Sequence, residues 1–486
     1  MILMAGVASA SASLLAVSSV TKGIQGFGSV QEDKQVSNAL DNVPSGKPQT
    51  VLLIGSDHRV VDGKGDRPRS DTIMLVRLDG QKHATAVMSI PRDTKVLIPS
   101  IPGFAAHEAK INEAFHDGGP ALTLKVLRNF LHIPINHVII IGFDAFSKAV
   151  NKLGCLYEDI DRRYFNDNSQ GGSPYATIDV QAGYQKLCGL DTLSWVRFRH
   201  QDSDFIRAAR QQEFLRSAKG QVAVSSLLND SGDLLKIFKA YTQTDIRHAA
   251  PILGLLKLAL EASKQPVSSI KFPGYNSPDP TDTYVYIQPA ALTAMVNKFQ
   301  AVEATKPAAI QAPKSATTKK QQKKAKTKAK QLGLATGLIA VPKPSATNDP
   351  FLLNVAFNAG FPVYYPSALL ANGGYATDNP TRVYKIATRV KGHRYPAYRL
   401  VVFAGVNGEY YGIQGTKWQN APILKETHHF VTRGGRTLMV YPAGAAYRLV
   451  AWRTPNAVYW VSNTLSQNLT NRQMLDIASS LKRVGT

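Results

Sequence analysis

Acidic residues and cysteines are scarce in this chain of 486 residues. It has 34 aspartates and glutamates against 57 lysines and arginines, a formal net charge of +23, and two cysteines. Two cysteines are too few for a disulfide-rich scaffold, and no zinc-finger spacing occurs. The excess of positive charge indicates an anionic partner. No aromatic RNA-binding motif accompanies the basic residues, so we do not expect that partner to be nucleic acid.

The N-terminal segment, residues 1–22, carries no charge before Lys22. It is just long enough to span a bilayer, although its many Ser, Ala and Gly residues make it a weak membrane helix. It also lacks the basic segment that opens a secretory signal. Two interpretations stay open: an anchor whose start lies upstream of this numbering, or a signal without its first residues. Both imply export, whereas the alternative of a buried core helix leaves no polar face for water.

The two cysteines, Cys155 and Cys188, allow one intramolecular bridge. In a cytosolic protein they would be two buried thiols, and in an exported protein they would form a disulfide. A polar insert rich in Gly and Asp, residues 159–172, lies between them. We predict the bridge, which would stabilise the exported domain by about 3 to 4 kcal/mol on the chain-entropy model.

Arginines concentrate in one stretch, LSWVRFRHQDSDFIRAARQQ, residues 193–212. Arg197 and Arg199 alternate with apolar residues, and this period of two predicts a short strand over residues 195–199 with both guanidinium groups on one face. A helix predicted to begin near Asp204 would place Arg207 and Gln211 together.

Three planar charges, with the Gln211 amide beside them, suit phosphate or pyrophosphate. The alternative is a solvated surface or a salt-bridge network. Arg210 and Arg216 lie off the shared helical face and are expected to have this structural role.

Two aspartates flank predicted buried strands. Asp57 follows the apolar run 51–54, and Asp71 precedes the run 73–76. If the strands are antiparallel neighbours, the carboxylates meet at one edge of the sheet, where their oxygens suit Mg²⁺. The alternative is that each aspartate only ends a strand or caps a turn.

The following segments alternate between strand and helix. A strand over 85–90 runs into Pro91-Arg92, and a strand over 137–141 precedes a helix over 143–153. Pro120 opens a further helix over 121–131. This order predicts an α/β layered fold, with a mixed central sheet flanked by helices.

Several of these motifs in series resemble the LytR-CpsA-Psr family of bacterial cell-wall phosphotransferases. The resemblance covers about residues 50–220 and rests on LLIGSDHR, RSDTIMLV, SIPRDT, KINEAF, the GGP helix, IPINHVIIIGFDAF and WVRFRHQDSDFIRAARQQ. It implies a protein anchored at its N-terminus in the cell membrane, with its domains on the extracytoplasmic side. The implied partners are a polyprenyl-pyrophosphate-linked glycan and peptidoglycan.

The implied activity is Mg²⁺-dependent (or Mn²⁺-dependent) transfer of a glycosyl phosphate from the polyprenyl carrier to peptidoglycan, with pyrophosphatase as a side activity. The family's metal positions correspond to Asp57 and Asp71. Its pyrophosphate-binding positions correspond to Arg69, Arg92, Lys110, Arg197, Arg199, Arg207 and Gln211, and its catalytic set to Asp57, Arg69, Asp71, Arg92, Arg199, Asp204 and Arg207.

Two further features bear on this chemistry. Asp204 or one of the two metal-site aspartates would accept the hydroxyl proton, and helices 121–131 and 143–153 are candidates for lining a groove for the polyprenyl tail. The chain departs from the family at Ile206, where glycine is usual, and this side chain is expected to tilt the helix start or narrow the site. The alternative function is a non-catalytic envelope protein that binds anionic wall polymer or regulates wall homeostasis.

Composition divides the chain into domains: an N-terminal segment 1–22, a linker 23–49, a catalytic domain 50–300, a linker 301–349 and a C-terminal domain 350–486. The second linker contains a lysine-rich block, 314–330, that cannot form a core. The C-terminal domain has β-like runs followed by a helix over 472–481, which predicts a small α+β module. We find no catalytic constellation in it and expect it to bind the wall or a partner.

Overall fold

The computed structural model describes residues 28–29, 34–44, 46–56, 70–103, 105–169, 176–198, 202–221, 242–246, 258, 267–279, 281–301, 333–405 and 408–485. The chain divides into two compact units. The first unit comprises residues 1–156 and 188–305, and the second comprises 157–187 and 306–486. The N-terminal segment 1–22 and the lysine-rich block 314–330 lie outside the described residues. Within the described ranges, no helix has both the length and the apolarity needed to cross a bilayer.

The elements follow in chain order. Up to the first cysteine they are β1 (Gly28–Ser29), α1 (Lys34–Ala39), β2 (Gln49–Ser56), β3 (Ser70–Asp79), β4 (Ala84–Ile90), β5 (Lys95–Ile98), β6 (His107–Lys110), α2 (Glu113–Leu131), β7 (His137–Gly142) and α3 (Phe143–Lys152). Next come β8 (Leu156–Ile160), β9 (Tyr164–Asn166), β10 (Ile178–Val180), β11 (Gly183–Leu187), α4 (Gly189–Arg197), α5 (Asp204–Gln221), β12 (Thr242–Thr244), β13 (Val267–Ile270), β14 (Tyr275–Asn276), β15 (Val285–Tyr286) and α6 (Pro289–Gln300).

The remaining elements belong to the second unit. They are β16 (Leu338–Ala340), α7 (Pro350–Asn358), β17 (Tyr364–Pro366), β18 (Ala368–Leu370), β19 (Gly374–Tyr375), β20 (Thr381–Ala387), β21 (Arg394–Phe403), β22 (Tyr410–Thr416), a 3₁₀ turn (Pro422–Leu424), β23 (His429–Arg433), β24 (Arg436–Ala443), β25 (Ala446–Arg453), β26 (Val458–Ser462), α8 (Asn471–Ser480) and β27 (Leu481–Arg483).

The first unit is built on a mixed sheet of strand order β1-β12-β7-β2-β3-β4-β13. Strand β2 runs parallel to β7 and antiparallel to β3. One face of the sheet packs on α2 and α6 through a buried cluster that includes Leu52, Leu75, Leu124, Leu127 and Phe299. The predicted α/β fold is therefore confirmed, because continuous apolar runs such as 51–54 are covered on both faces.

Helix α2 begins earlier than predicted, and its two glycines explain the difference. The helix is kinked at Gly118 and Gly119, and Pro120 opens the straight part after the kink. The predicted helix over 121–131 is this second part. The predicted helices 234–239 and 251–260 lie outside the described residues, apart from Leu258.

The second unit is built on an antiparallel sheet of order β19-β21-β22-β26-β25-β24-β23, with β20 also paired to β21. Helix α8 packs on one face, where Leu400, Tyr459, Met474 and Ile477 are fully buried. Its N-cap residue, Thr470, forms a complete capping box with Gln473, the third residue of the helix. The predicted α+β domain is present, and strands make up most of it.

The segment between the cysteines belongs to the second unit. Residues 157–187 form the strand pairs β8–β11 and β9–β10 rather than a loop. Within this unit, Tyr157 and Tyr184 pack with Trp460 in a cluster on the other face of the sheet. The structure differs from the predicted single domain over 50–300, since the insert belongs to the second unit. The insert buries its aromatic side chains against strands that come 200 residues later in the sequence.

A buried ion pair anchors the insert to the sheet. The Arg399 side chain is fully buried, and its guanidinium donates to the Asp159 carboxylate at 2.8 Å. The Trp460 indole N–H donates to the other Asp159 oxygen at 3.2 Å. Tyr384 donates from its hydroxyl to the Tyr184 carbonyl at 3.0 Å. The insert is therefore held by buried polar contacts as well as by apolar burial.

Cys155 and Cys188 are joined in a disulfide with Cα atoms 4.5 Å apart. Both cysteines belong to the first unit, at the two points where the chain leaves it and returns. The bridge therefore closes the base of the insert.

Replacing Asp159 with alanine should lower the free energy of unfolding of the second unit by about 3 to 5 kcal/mol, because it leaves the Arg399 charge buried without its partner. Urea unfolding measured by tryptophan fluorescence reports on this unit through Trp418, Trp452 and Trp460. Asp167→Ala is the matched control, since Asp167 is an exposed residue of the same insert. Equal midpoints for the two variants would contradict a stabilising role for the pair.

Candidate functional site

The ends of several strands meet at one edge of the first unit's sheet. Ser56, the last residue of β2, pairs with Ser70 of β3 and with Gly142 of β7. Ile90, the last residue of β4, pairs with Ile73 of β3. The expectation that the strands before Asp57 and around Asp71 are antiparallel neighbours is correct.

Asp71 occupies a break in the register of β2 and β3. Gly55 pairs with Thr72 and Ser56 pairs with Ser70, so Asp71 is the extra residue of a β-bulge. Gly55 is needed here because a Cβ at this position would lie 2.9 Å from the Thr72 Cβ. Thr72 in turn accepts a hydrogen bond from the Gln211 amide at 2.8 Å, which ties the bulge to α5.

Three predicted site residues, Asp57, Arg69 and Arg199, lie outside the described residues, and the side chain of Asp71 does too. The predicted magnesium ligands are therefore untested. Within the described part of the chain, no group of three or more His, Cys, Asp or Glu side chains is placed to bind a metal ion.

A tight turn after β4 fixes Arg92 at this edge. The backbone N–H and the hydroxyl of Thr94 both donate to the Pro91 carbonyl, at 3.0 and 2.6 Å. The Asn112 N–H donates to the Arg92 carbonyl at 3.2 Å, which brings the end of β6 against the turn. Proline and a double hydrogen bond therefore hold the Arg92 backbone.

Asp93 is a site residue that the sequence analysis did not assign. Its carboxylate lies 3.0 Å from the Lys110 ammonium and 3.9 Å from the Arg92 guanidinium, so it connects two predicted phosphate-binding residues. Burial raises the pKa of Asp93, and the neighbouring Asp204 carboxylate raises it further, while the contact with Lys110 opposes both effects. Its position directly after Arg92 in the SIPRDT motif was the available signal.

Helix α5 begins at Asp204, as predicted, and supplies the other side of the site. The Arg207 guanidinium lies 3.0 Å from the Asp204 carboxylate, and both side chains are almost completely buried. Gln211, one turn later, lies on the same face, as predicted from the spacing of four. Ile206 is buried in the first turn of this helix; whether it tilts the helix start or narrows the site stays a prediction.

The predicted strand over 195–199 is wrong. Residues Gly189–Arg197 form helix α4, and its buried residues Gly189, Thr192, Trp195 and Val196 follow a helical period. This packing outweighs a five-residue alternation, which is too short to define a strand. Arg197 therefore lies in the last turn of a helix, with its guanidinium 4.0 Å from the centre of the Phe143 ring.

Arg210 has a structural role, as expected. Its side chain is fully buried, donates to the carbonyls of Trp195 and Phe198, and lies 2.9 Å from the Asp202 carboxylate. It thereby holds the connection between α4 and α5. Arg216 likewise pairs with a glutamate on its own helix, Glu213.

An apolar cavity of about 120 Å³ opens beside these charges. Its walls come from the sheet and from α3, α4 and α5, and include Leu53, Met74, Phe146, Ala149, Leu193 and Phe214. Arg197, Arg207 and Gln211 contribute its polar lining. A cavity with apolar walls and cations at one side suits an amphipathic ligand with an anionic head group.

The two helices predicted to line a groove for the polyprenyl tail line different cavities. Helix α3 lines this cavity, whereas α2 lines a different cavity of about 960 Å³ together with Asp41, Lys125 and Arg128. That larger cavity contains none of the predicted site residues, so its volume does not make it the site.

Replacing Arg210 with alanine should lower the free energy of unfolding of the first unit by about 3 to 5 kcal/mol, because it removes the cation that lies 2.9 Å from the Asp202 carboxylate, whose side chain is 1% exposed. The double variant Arg210→Ala/Asp202→Ala should recover part of this loss in thermal unfolding. Lys125→Ala, at an exposed position of α2, provides the control. A single variant as stable as this control would refute the structural role.

The family model of the LytR_cpsA_psr family matches residues 14–301. The teichoic acid transferase TagV of Bacillus subtilis is 29% identical over 203 residues, which cover 41% of this chain and 50% of TagV. An uncharacterised protein of Staphylococcus aureus is 32% identical over 201 residues, covering 39% of this chain and 47% of that protein. The chain thus spans about half the length of these curated relatives.

Among solved structures, the crystal structure of B. subtilis TagV is similar at 25% identity, with a TM-score of 0.43. The match covers 53% of this chain and 98% of the TagV chain in that crystal structure. The family match extends over more than half of the chain and contains every predicted site residue. The chain therefore belongs to the LytR-CpsA-Psr family.

Proposed function

We propose that this protein transfers a glycopolymer phosphate from a polyprenyl-pyrophosphate carrier to peptidoglycan. The observation that carries the proposal is the apolar cavity with Arg197 and Arg207 in its lining, at the edge where the strands end. A polyprenyl pyrophosphate has the matching chemistry, a long apolar tail joined to a concentrated negative charge. The names of relatives such as TagV and Bacillus anthracis TagU, polyisoprenyl-teichoic acid–peptidoglycan teichoic acid transferase, support the same substrate class.

The cationic residues bind the pyrophosphate in this proposal. Lys110 and Arg92 are oriented by Asp93, and Arg207 is oriented by Asp204. Because these carboxylates fix the side chains before substrate arrives, little reorganisation accompanies the development of charge. The full proposed set is Arg69, Arg92, Lys110, Arg197, Arg199, Arg207 and Gln211.

The donor set at the sheet edge fits Mg²⁺, or Mn²⁺ in its place. Asp57 and Asp71 follow two paired residues, Ser56 and Ser70, and their carboxylate oxygens are the ligands that a hard cation prefers. A bound ion would neutralise charge on the pyrophosphate oxygens.

The transfer step exchanges one P–O bond for another. A muramic-acid hydroxyl of peptidoglycan attacks the phosphorus next to the sugar, and the bond to the lipid phosphate breaks. The hydroxyl proton passes to a carboxylate. The candidate acceptors are Asp204 and the two proposed metal ligands, Asp57 and Asp71, while the arginines stabilise the departing polyprenyl phosphate.

We further propose that the protein works on the outer face of the cell membrane, anchored by the N-terminal segment 1–22. The Cys155–Cys188 disulfide supports this location, because such bridges persist in oxidising compartments. The polyprenyl tail would then enter the cavity from the same membrane.

Transfer of a labelled glycan from its polyprenyl-pyrophosphate carrier to peptidoglycan tests the activity. Wild type should be active with Mg²⁺ and inactive after chelation, and Asp71→Asn and Arg199→Ala should each lose about 100-fold or more in rate. Lys125→Ala should match wild type. Equal rates in all four proteins, or binding of the polymer without transfer, would favour a non-catalytic envelope protein instead.

Leu193→Trp should obstruct the cavity, because this partly exposed side chain lines it from α4. We expect the KM for a long-tailed donor to rise about tenfold, equivalent to about 1.4 kcal/mol of binding, with a smaller change for a donor with a short isoprenoid tail. Leu190→Trp is a matched control on the same helix, since Leu190 is 72% exposed. If both variants affect both donors alike, the tail does not occupy this cavity.

A further inference from the structure

The part of the second unit's surface that residues 333–485 form has few acidic groups, whereas the insert adds the exposed Asp167 and Asp179. Residues 333–485 contain 16 lysines and arginines but five aspartates and glutamates. Three of these acids are occupied in or near the core: Glu409 is 4% exposed, Asp476 is 2% exposed and pairs with Arg433, and Glu426 pairs with Arg448. Among the described acids of this stretch, Asp378 alone is exposed. The cations of this surface therefore face few charges of opposite sign.

Several of the exposed cations lie at one end of the sheet. Ala387 pairs with Arg394 at the end of the β20–β21 hairpin. Further along the same end, Ala397 pairs with Thr416, Thr416 pairs with Val458, and Val458 pairs with Arg453. The connections at this end present the exposed cations Arg389, Lys391, Arg394, Lys417 and Arg453, which we call the basic end.

Aromatic rings accompany these cations. The rings of Tyr395 and Trp418 stack with centroids 5.5 Å apart and planes at 8°, and both side chains are half-buried. The His393 ring meets the Tyr395 ring edge-on at 4.6 Å. The basic end thus offers flat, partly exposed ring surfaces next to positive charge.

We propose that the basic end binds an anionic glycan, a polysaccharide strand with carboxylate or phosphate groups. Cations pair with the charged groups, while the rings contact the apolar C–H faces of the sugars. A membrane surface fits less well, because insertion needs a continuous apolar face. At the described tip of the β20–β21 hairpin, Val390 is the exposed large apolar side chain. This binding site is separate from the proposed transferase site and does not depend on that activity.

Acrylamide quenching of tryptophan fluorescence in the full chain tests this proposal. Trp195 and Trp460 are fully buried and Trp452 is 4% exposed, so quenching reports mainly on Trp418. Polygalacturonate, a carboxylated glycan, should protect against quenching at low salt. Neutral dextran, polyglutamate and anionic phosphatidylglycerol vesicles should protect less.

Two double variants with equal loss of charge locate the site. Lys391→Gln/Lys417→Gln should weaken polygalacturonate binding about fivefold or more, whereas Lys343→Gln/Lys482→Gln, at exposed lysines on other elements, should change it little. Matching thermal unfolding would show that all variants are folded. Equal weakening in both variants, equal protection by polyglutamate, stronger vesicle binding, or absence of glycan binding would each overturn the proposal.

Discussion

Pairing of buried arginines with carboxylates is the constraint on which both units depend. The chain has a large excess of positive charge, and a guanidinium inside a protein core is costly unless a carboxylate and further acceptors surround it. Arg210 meets this requirement with Asp202 and two carbonyls, and Arg399 pairs with Asp159. The first pair fixes the connection between α4 and α5, and the second joins the insert to the later strands.

The same pairing separates structural arginines from those available to a ligand. Arg207 and Arg210 lie on one helix, three residues apart, and both are buried. Arg210 donates its hydrogen bonds to carbonyls of the α4–α5 connection. Arg207 instead pairs with Asp204 at the helix start and also lines the apolar cavity. A spacing of four from Gln211 and a place in the cavity lining, rather than charge, distinguish Arg207, the proposed binding residue.

Local pattern predicted most of the fold and part of the site. Strands such as β2 and β3 follow from continuous apolar runs, and the helix start at Asp204 follows from the change of period after a turn. The error at α4 came from interpreting five alternating residues as a strand. The helical period over Gly189–Arg197 could not be recognised without knowing which of its residues are buried. Asp93 was missed because its partners are distant in sequence: Lys110 is in contact with its carboxylate, and the charge of Asp204 raises its pKa.

The partner of the insert could not be predicted for the same reason. Residues 157–187 look polar and loop-like, and their buried aromatics acquire a core only when strands from the end of the chain supply it. Sequence patterns report on neighbours along the chain. The Tyr184 backbone N–H, in contrast, donates to the Gln414 side chain, which is 230 residues away in the sequence. A discontinuous domain of this kind has no local signal.

The disulfide joins the two points at which the chain leaves the first unit and returns to it, next to two helices that line the cavity. Cys188 precedes the first residue of α4, and Cys155 lies three residues after α3 ends. Beside the bridge, the Gly189 N–H donates to the Asn151 side chain at 2.8 Å, and a Cβ at Gly189 would collide with the Ser147 carbonyl at 2.2 Å. These contacts lock the end of α3 to the start of α4. Because the opposite ends of the same helices carry Phe143 and Arg197, this attachment helps to position the cavity wall and its cation.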